Sequence, residues 1–197
     1  MQIPVIYFPT MLQSLYLTIV LTIASTAGQL PLQQRTWTYS VQSVICTNDT
    51  PDVFEMKAEK RFVSRGVYKT SGIMEVKQSL TDAFEIAVDV FYSPEGKQFT
   101  RAPFRVLKTS LSDFANTYYV PIFMKSFQNC TENVPQLPSP FRPPLPVCRV
   151  TMAQCRVNTD NFPSYLRSGY YRMVLYYSGQ ANGTILVEAL VEQISNL

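Results

Sequence analysis

The chain has 197 residues, 46% of them apolar and only 16% charged, with a net charge of +3. That suffices for one domain with a real core, and it points away from a nucleic-acid binder or a polybasic membrane anchor. The complete absence of histidine removes Ser-His-Asp and Cys-His catalysis and most zinc sites, and without a G-x-S-x-G, Walker or G-x-G-x-x-G pattern neither a metal nor a cofactor is expected.

The first charged side chain is Arg35. Residues 11–24 form an apolar stretch of signal-peptide length, and Ser25-Thr-Ala27-Gly28 supplies small residues for cleavage after Ala27 or Gly28. Translation from Met11 gives a more compact signal than translation from Met1. The expectation is a signal peptide over residues 1–28, a secreted protein, and one mature domain over 29–197. Three Asn-x-Ser/Thr sequons agree with export: Asn48-Asp-Thr50, Asn129-Cys-Thr131 and Asn182-Gly-Thr184. Asn129 and Asn182 are the expected glycan carriers; Pro51 after the first sequon makes Asn48 the poorest acceptor.

From Trp37 onward the texture is that of strands. Trp37, Tyr39 and Val41 alternate with Thr38, Ser40 and Gln42. Residues 54–63 set Met56, Ala58 and Phe62 against Glu55, Lys57, Glu59 and Arg61. Ser64-Arg65-Gly66 reads as a turn, and residues 67–78 return with Tyr68, Thr70, Met74 and Val76 on one face, making a hairpin. Residues 84–92 are the clearest strand: Phe84, Ile86, Val88 and Val90 share one face, Glu85 and Asp89 the other. After the Ser93-Pro-Glu-Gly96 turn, residues 98–107 return, and Pro103 predicts an edge or a bulge there.

The period then changes. Leu111, Phe114, Ala115, Tyr118, Tyr119, Ile122 and Phe123 recur at helical spacing, with Ser110 or Ser112 as cap and Pro121 expected to kink or end the helix. Residues 133–147 are Pro-rich, leave no room for strand or helix, and are bracketed by Cys130 and Cys148. Three strands close the chain, over 148–157, 170–178 and 184–194, with Asn182-Gly183 as the last hairpin turn. The fold class is therefore mainly β: an antiparallel β-cup or sandwich of about eight strands with one short helix.

Four cysteines behind a signal peptide, Cys46, Cys130, Cys148 and Cys155, read as two disulfides, since no metal-type C-x-x-C spacing occurs. Four cysteines allow three pairings. Closure of the Pro-rich loop favours Cys130 with Cys148, leaving Cys46 with Cys155.

Phe162-Pro-Ser-Tyr-Leu-Arg-Ser-Gly-Tyr-Tyr-Arg172, followed by an apolar strand, a Gly/Asn turn and a closing strand, resembles the C-terminal segment of the ganglioside activator-like, ML-type lipid-recognition family. That family shows a Leu-Pro-x-Trp-Leu-x-x-Gly-x-Tyr-Arg pattern there, and its secreted insect chemosensory relatives of the CheB type look similar. The resemblance is loose over residues 36–194 and specific over 162–194. It implies an antiparallel β-cup with a deep apolar cavity, and lipid binding without catalysis. The mammalian activator carries a cysteine in its closing strand, whereas residues 184–192 here contain none.

Twelve Tyr, twelve Phe and one Trp serve a β-rich core or an aromatic-lined cavity. The functional expectation is a non-enzymatic binder or carrier of a lipid or hydrocarbon-like signal in chemosensory or pheromone response, with a membrane surface or receptor as a further partner and no nucleic acid. Phe84, Ile86, Val88 and Val90 are expected to line the cavity, and Phe114 and Tyr118 to border its mouth. One alternative is a β-sandwich interaction module whose same residues fill a closed core. Another is a two-carboxylate hydrolase using Glu85 and Asp89, but four strand residues place these about 13 Å apart, beyond the roughly 5–9.5 Å that glycosidases use.

Overall fold

A computed structural model describes residues 35–194, except 66, 160 and 161. The expected signal peptide, residues 1–28, lies outside the described residues, as does Gly66 of the expected turn. The alternating segments become nine strands: β1 (Trp37–Asn48), β2 (Phe54–Ser64), β3 (Val67–Val76), β4 (Phe84–Ser93), β5 (Thr100–Ser110), β6 (Thr131–Glu132), β7 (Cys148–Cys155), β8 (Gly169–Gly179) and β9 (Gly183–Gln193). All pairings are antiparallel. One sheet has the order β1-β9-β8-β4-β5, the other β2-β3-β7-β6. The mainly β fold with a short helical segment is as the alternation predicts; the two-residue β6 is too short to leave a periodic signal.

Residues directly opposite in an antiparallel ladder share a face, so register defines the inside. In the four-stranded sheet the inner rows are Phe54–Val76–Cys148 and Met56–Met74–Val150. In the five-stranded sheet they are Ile86–Tyr177–Gly183 and Val88–Leu175–Ile185. These faces meet in one core, where Phe54 and Val76 pack with Phe84, Ile86, Val88 and Tyr177. Phe54, Phe84 and Tyr177 form an aromatic triangle with ring centroids 5.0 to 5.7 Å apart. β5 is an edge strand, as Pro103 requires, and its pairing with β4 shifts register twice, between Ile86/Val88 and Asp89/Phe91.

The helical period also survives, with a change of geometry. α1 (Leu111–Phe114) is capped by Ser110, whose hydroxyl accepts from the Asp113 amide at 3.2 Å. The chain continues as a π-helical run, Ala115–Phe123, and ends as α2, Met124–Gln128. Pro121 therefore does not end the helix. The wider turn, in which the Met124 amide reaches back to the Tyr119 carbonyl, carries the chain past the missing proline donor. Leu111 and Ala115 are buried in the common core, while Asp113, Thr117 and Pro121 are exposed.

The expected disulfide pairing is overturned. Cys130 is bonded to Cys155, with Cα atoms 5.1 Å apart, and Cys46 and Cys148 are free thiols. The reason is register. Thr131 of β6 pairs with Met152, and the Ala153 amide donates to the Cys130 carbonyl at 2.8 Å, which brings Cys130 to the far end of β7. Cys148 starts β7, seven residues or about 23 Å away along the strand, far outside disulfide reach. Cys46 sits in the other sheet, opposite Ile185.

The Pro-rich loop is held without a covalent staple of its own. The Asn116 amide donates to the Phe141 carbonyl at 3.0 Å and accepts from its amide at 2.7 Å. Leu80 and Leu145 exchange backbone hydrogen bonds of 2.8 and 2.9 Å. Both contacts seat Phe141 and Leu80 in the core.

Candidate functional site: the inner faces of the two sheets

β4 shows best how the interior changes along its length. Phe84, Ile86 and Val88 are 4%, 6% and 9% exposed, and Val90 is only half-buried. The other strands follow the same trend. Tyr177 is 2% exposed, yet Leu175 and Met173 beyond it on β8 are half-buried. Val76 is 1% exposed, yet Met74 is half-buried, as are Met56 on β2 and Ile185 and Val187 on β9. All these side chains belong to inward rows by register, and Met56, Met74, Val90, Met173, Leu175 and Ile185 touch the packed core. A closed sandwich would bury them, because interiors pack to near-crystal density. Here one end is closed, and the inward apolar side chains toward the middle of the sheets are only partly buried.

The closed end is fixed by a polar clamp. The Asn48 side chain donates to the Met56 carbonyl at 3.0 Å and accepts from the Met56 amide at 2.8 Å. The Tyr177 hydroxyl lies 3.0 Å from both the Asn48 side-chain oxygen and the Thr47 carbonyl. Burial, reinforced by the nearby Asp49, pushes the Tyr177 phenol up to about 12. Gly183 stands opposite Tyr177, and a Cβ there would collide with that hydroxyl and with the Thr47 carbonyl. Asn48 is thus a structural residue inside a sequon, whereas Asn129 and Asn182 are exposed.

The expected wall residues are brought together. Phe84, Ile86 and Val88 lie in the closed end, and Val90 stands where the accessible region begins. Phe114 packs against the core, and its ring centroid lies 5.6 Å from that of Tyr118. Tyr118, with Arg105, Val106, Lys108, Asp113 and Thr117, lines an open cleft of about 410 Å³ between β5 and the helical segment. Sequence reasoning passed over Met56, Met74 and Met173, although strand alternation already placed Met56 and Met74 on inward-facing rows. It also missed Phe141, whose burial depends on the distant Asn116.

Glu85 and Asp89 point outward and are each engaged from β5, Glu85 by Lys108 and Asp89 by Arg101 at 3.0 Å. No group of three or more Cys, Asp or Glu side chains among the described residues could hold a metal ion. No helix among the described residues is long and apolar enough to cross a membrane.

The segment carrying the family-like motif wraps the N-terminal end of β1. The Trp37 indole donates to the Pro163 carbonyl at 2.9 Å, and the Tyr39 hydroxyl to the Val157 carbonyl at 2.8 Å. Gly169 adopts φ of +136°, and a Cβ there would stand 2.8 Å from the Ser93 carbonyl oxygen, so the motif requires glycine. Arg172 pairs with Glu188 at 2.9 Å and stacks over Phe99, 3.9 Å from the ring centroid. No curated protein matches the chain. Residues 86–173, a little under half of the chain and running from β4 into β8, match a family model described as "Protein of unknown function (DUF1091)".

Proposed function

We propose that the protein is a secreted, non-enzymatic binder or carrier of one apolar ligand, a lipid or hydrocarbon-like signal, held between the inner faces of the two sheets, with chemosensory or pheromone response as its setting. The observation that carries this reading is the fade of burial along inward rows: Phe84, Ile86 and Val88 are sealed, while Val90, Met173, Leu175, Met56 and Met74 stay accessible. Sites for small apolar molecules have this character, mostly apolar walls with few polar groups. Three methionines add walls that adapt to a chain of variable shape. The resemblance of residues 162–194 to the ML-type lipid-recognition family supports the same reading. The engagement of Glu85 and Asp89 by cations supports binding over carboxylate catalysis.

The test is binding of a fluorescent long-chain fatty acid to the wild type, Val90→Ser and Met173→Ala. Saturable binding at micromolar probe is expected for the wild type, with weaker binding by both variants. Each lost methylene contact corresponds to about fourfold in affinity. If the wild type binds no probe at micromolar concentration, the carrier reading fails and a protein-interaction module takes its place. Mass spectrometry of gently purified protein would detect a co-purifying lipid independently.

A further inference from the structure

The β2–β3 hairpin runs past the sheet that holds it. The ladder from β3 to β7 ends at Thr70, opposite Cys155, while β2 and β3 continue to pair out to Ser64 and Val67. The end of this hairpin is a two-stranded ribbon with an unusual surface. Phe62 is 65% exposed, Tyr68 40% and Val63 37%. Phe62 and Tyr68 are directly opposite, share a face and touch edge to face at 5.7 Å. The Lys60 ammonium sits 3.9 Å from the centre of the Tyr68 ring. By register, this face continues the row of Met56, Met74, Ala58 and Gly72, so the aromatic pair stands on the rim of the inner surface.

Charge is concentrated at the same place. Residues 59–69 contain Lys60, Arg61, Arg65 and Lys69 against Glu59 alone, a net +3. The whole chain carries 17 cations against 14 acids, so the remainder of the molecule balances at 13 and 13. The full net charge of the protein therefore resides in one projecting hairpin. Two large exposed rings are costly in water unless a partner covers them. Rings flanked by long cationic side chains suit an interface that is apolar beneath and anionic above.

We infer that the tip of the β2–β3 hairpin docks on the surface of an anionic phospholipid bilayer, with Phe62 and Tyr68 entering the headgroup region and Lys60, Arg61, Arg65 and Lys69 meeting lipid phosphates and carboxylates. A soluble polyanion would satisfy the cations and leave the rings in water. A bilayer satisfies both. Docking in this way turns the inner faces toward the membrane, which rests on the ligand reading above only for its purpose and not for its existence.

The experiment is co-sedimentation of the full secreted protein with phosphatidylcholine vesicles, with and without about 30% phosphatidylserine as the anionic component. Strong partition onto the mixed vesicles and weak partition onto pure phosphatidylcholine are expected. Lys60→Gln with Arg65→Gln should lower partition about 25-fold, about fivefold per cation. Phe62→Ser with Tyr68→Ser should lower it at least about tenfold. Salt at about 0.5 M should weaken it, since screening then reaches within about 4 Å. These four residues are partly or largely solvent-exposed, so the variants should melt like the wild type, and unchanged melting certifies the comparison. Failure of the wild type to sediment with the mixed vesicles overturns the proposal. So does undiminished sedimentation of the aromatic variant, or tight retention on heparin resin without vesicle binding, which would assign the hairpin to a sulfated glycan. Met173→Ala separates the two readings: it should weaken fatty-acid binding and leave vesicle partition unchanged. Vesicle binding without any fatty-acid binding would sink the carrier reading and leave the docking intact.

Discussion

The two ends of β4 belong to different physical regimes although their sequence pattern is the same. At the Phe84 end, side chains from both sheets, the helical segment and the Pro-rich loop converge, and the Asn48–Tyr177 clamp locks them. Near Val90 the same alternation continues, the facing residues become methionines and smaller aliphatics, and burial is incomplete. A hydrophobic inward residue is thus sealed in the core at one end and only partly buried at the other. Alternation reports which way a side chain points, and only the packing opposite decides what it does there.

Substitutions should separate the two ends. Phe84→Ala, in the sealed end, should cost about 3–5 kcal/mol through lost burial and a cavity and lower the melting temperature by roughly 10 °C. A change below about 1 kcal/mol in chemical denaturation would mean that this end is not closed. Asn48→Ala comes next. It strips the Met56 amide of its partner and removes an acceptor from Tyr177, for a loss of about 2 kcal/mol. Peptide mapping of glycosylated material should find Asn48 bare, because its amide nitrogen is committed to Met56, and Asn129 and Asn182 carrying glycans. Met173→Ala, in the accessible region, should cost only about 1 kcal/mol of stability, well below the buried-methionine range, while weakening fatty-acid binding about tenfold. Equal losses of stability at positions 84 and 173 would erase the distinction between the ends.

The smallest effect concerns pH. The Tyr177 phenol is raised from 10.0 to about 12 in the folded protein, so the unfolded chain loses its proton first. The resulting contribution to stability is complete below pH 10 and disappears as pH rises through about 12. Tyr177→Phe should remove this part of the alkaline slope in denaturant titrations. An unchanged slope would show that Tyr177 is not held in its neutral form.

Much of this molecule was legible from local pattern. The β1–β5 alternation, the edge character announced by Pro103, the Ser110 cap and the Asn182-Gly183 turn each depend on residues within a few positions of one another, and each was found where expected. The inward rows of β4 and the helix face were legible for the same reason. The misses at the cysteines, Phe141 and Asn48 involve partners distant in sequence. At Pro121 local pattern predicts a kink or an end, and the helix continues past it as a π-helical run in which the Met124 amide reaches back to the Tyr119 carbonyl. Asn48 was read as a sequon, and nothing local shows that its amide binds Met56 and Tyr177.

The amino-acid sequence by itself determined the β class, the succession of the longer strands along the chain, the helical segment and the faces of the apolar residues in β1 to β4 and the helix, because these follow from periods of two or about 3.6 residues. The tertiary structure alone decided the rest. Which cysteines meet depends on the register that carries Cys130 to the Cys155 end of β7, while Cys148 stays at the other. Whether an inward residue is sealed or accessible depends on what the opposite sheet, the helical segment and the Pro-rich loop place against it. Those are contacts between segments tens of residues apart, and no local period encodes the distance between two facing sheets.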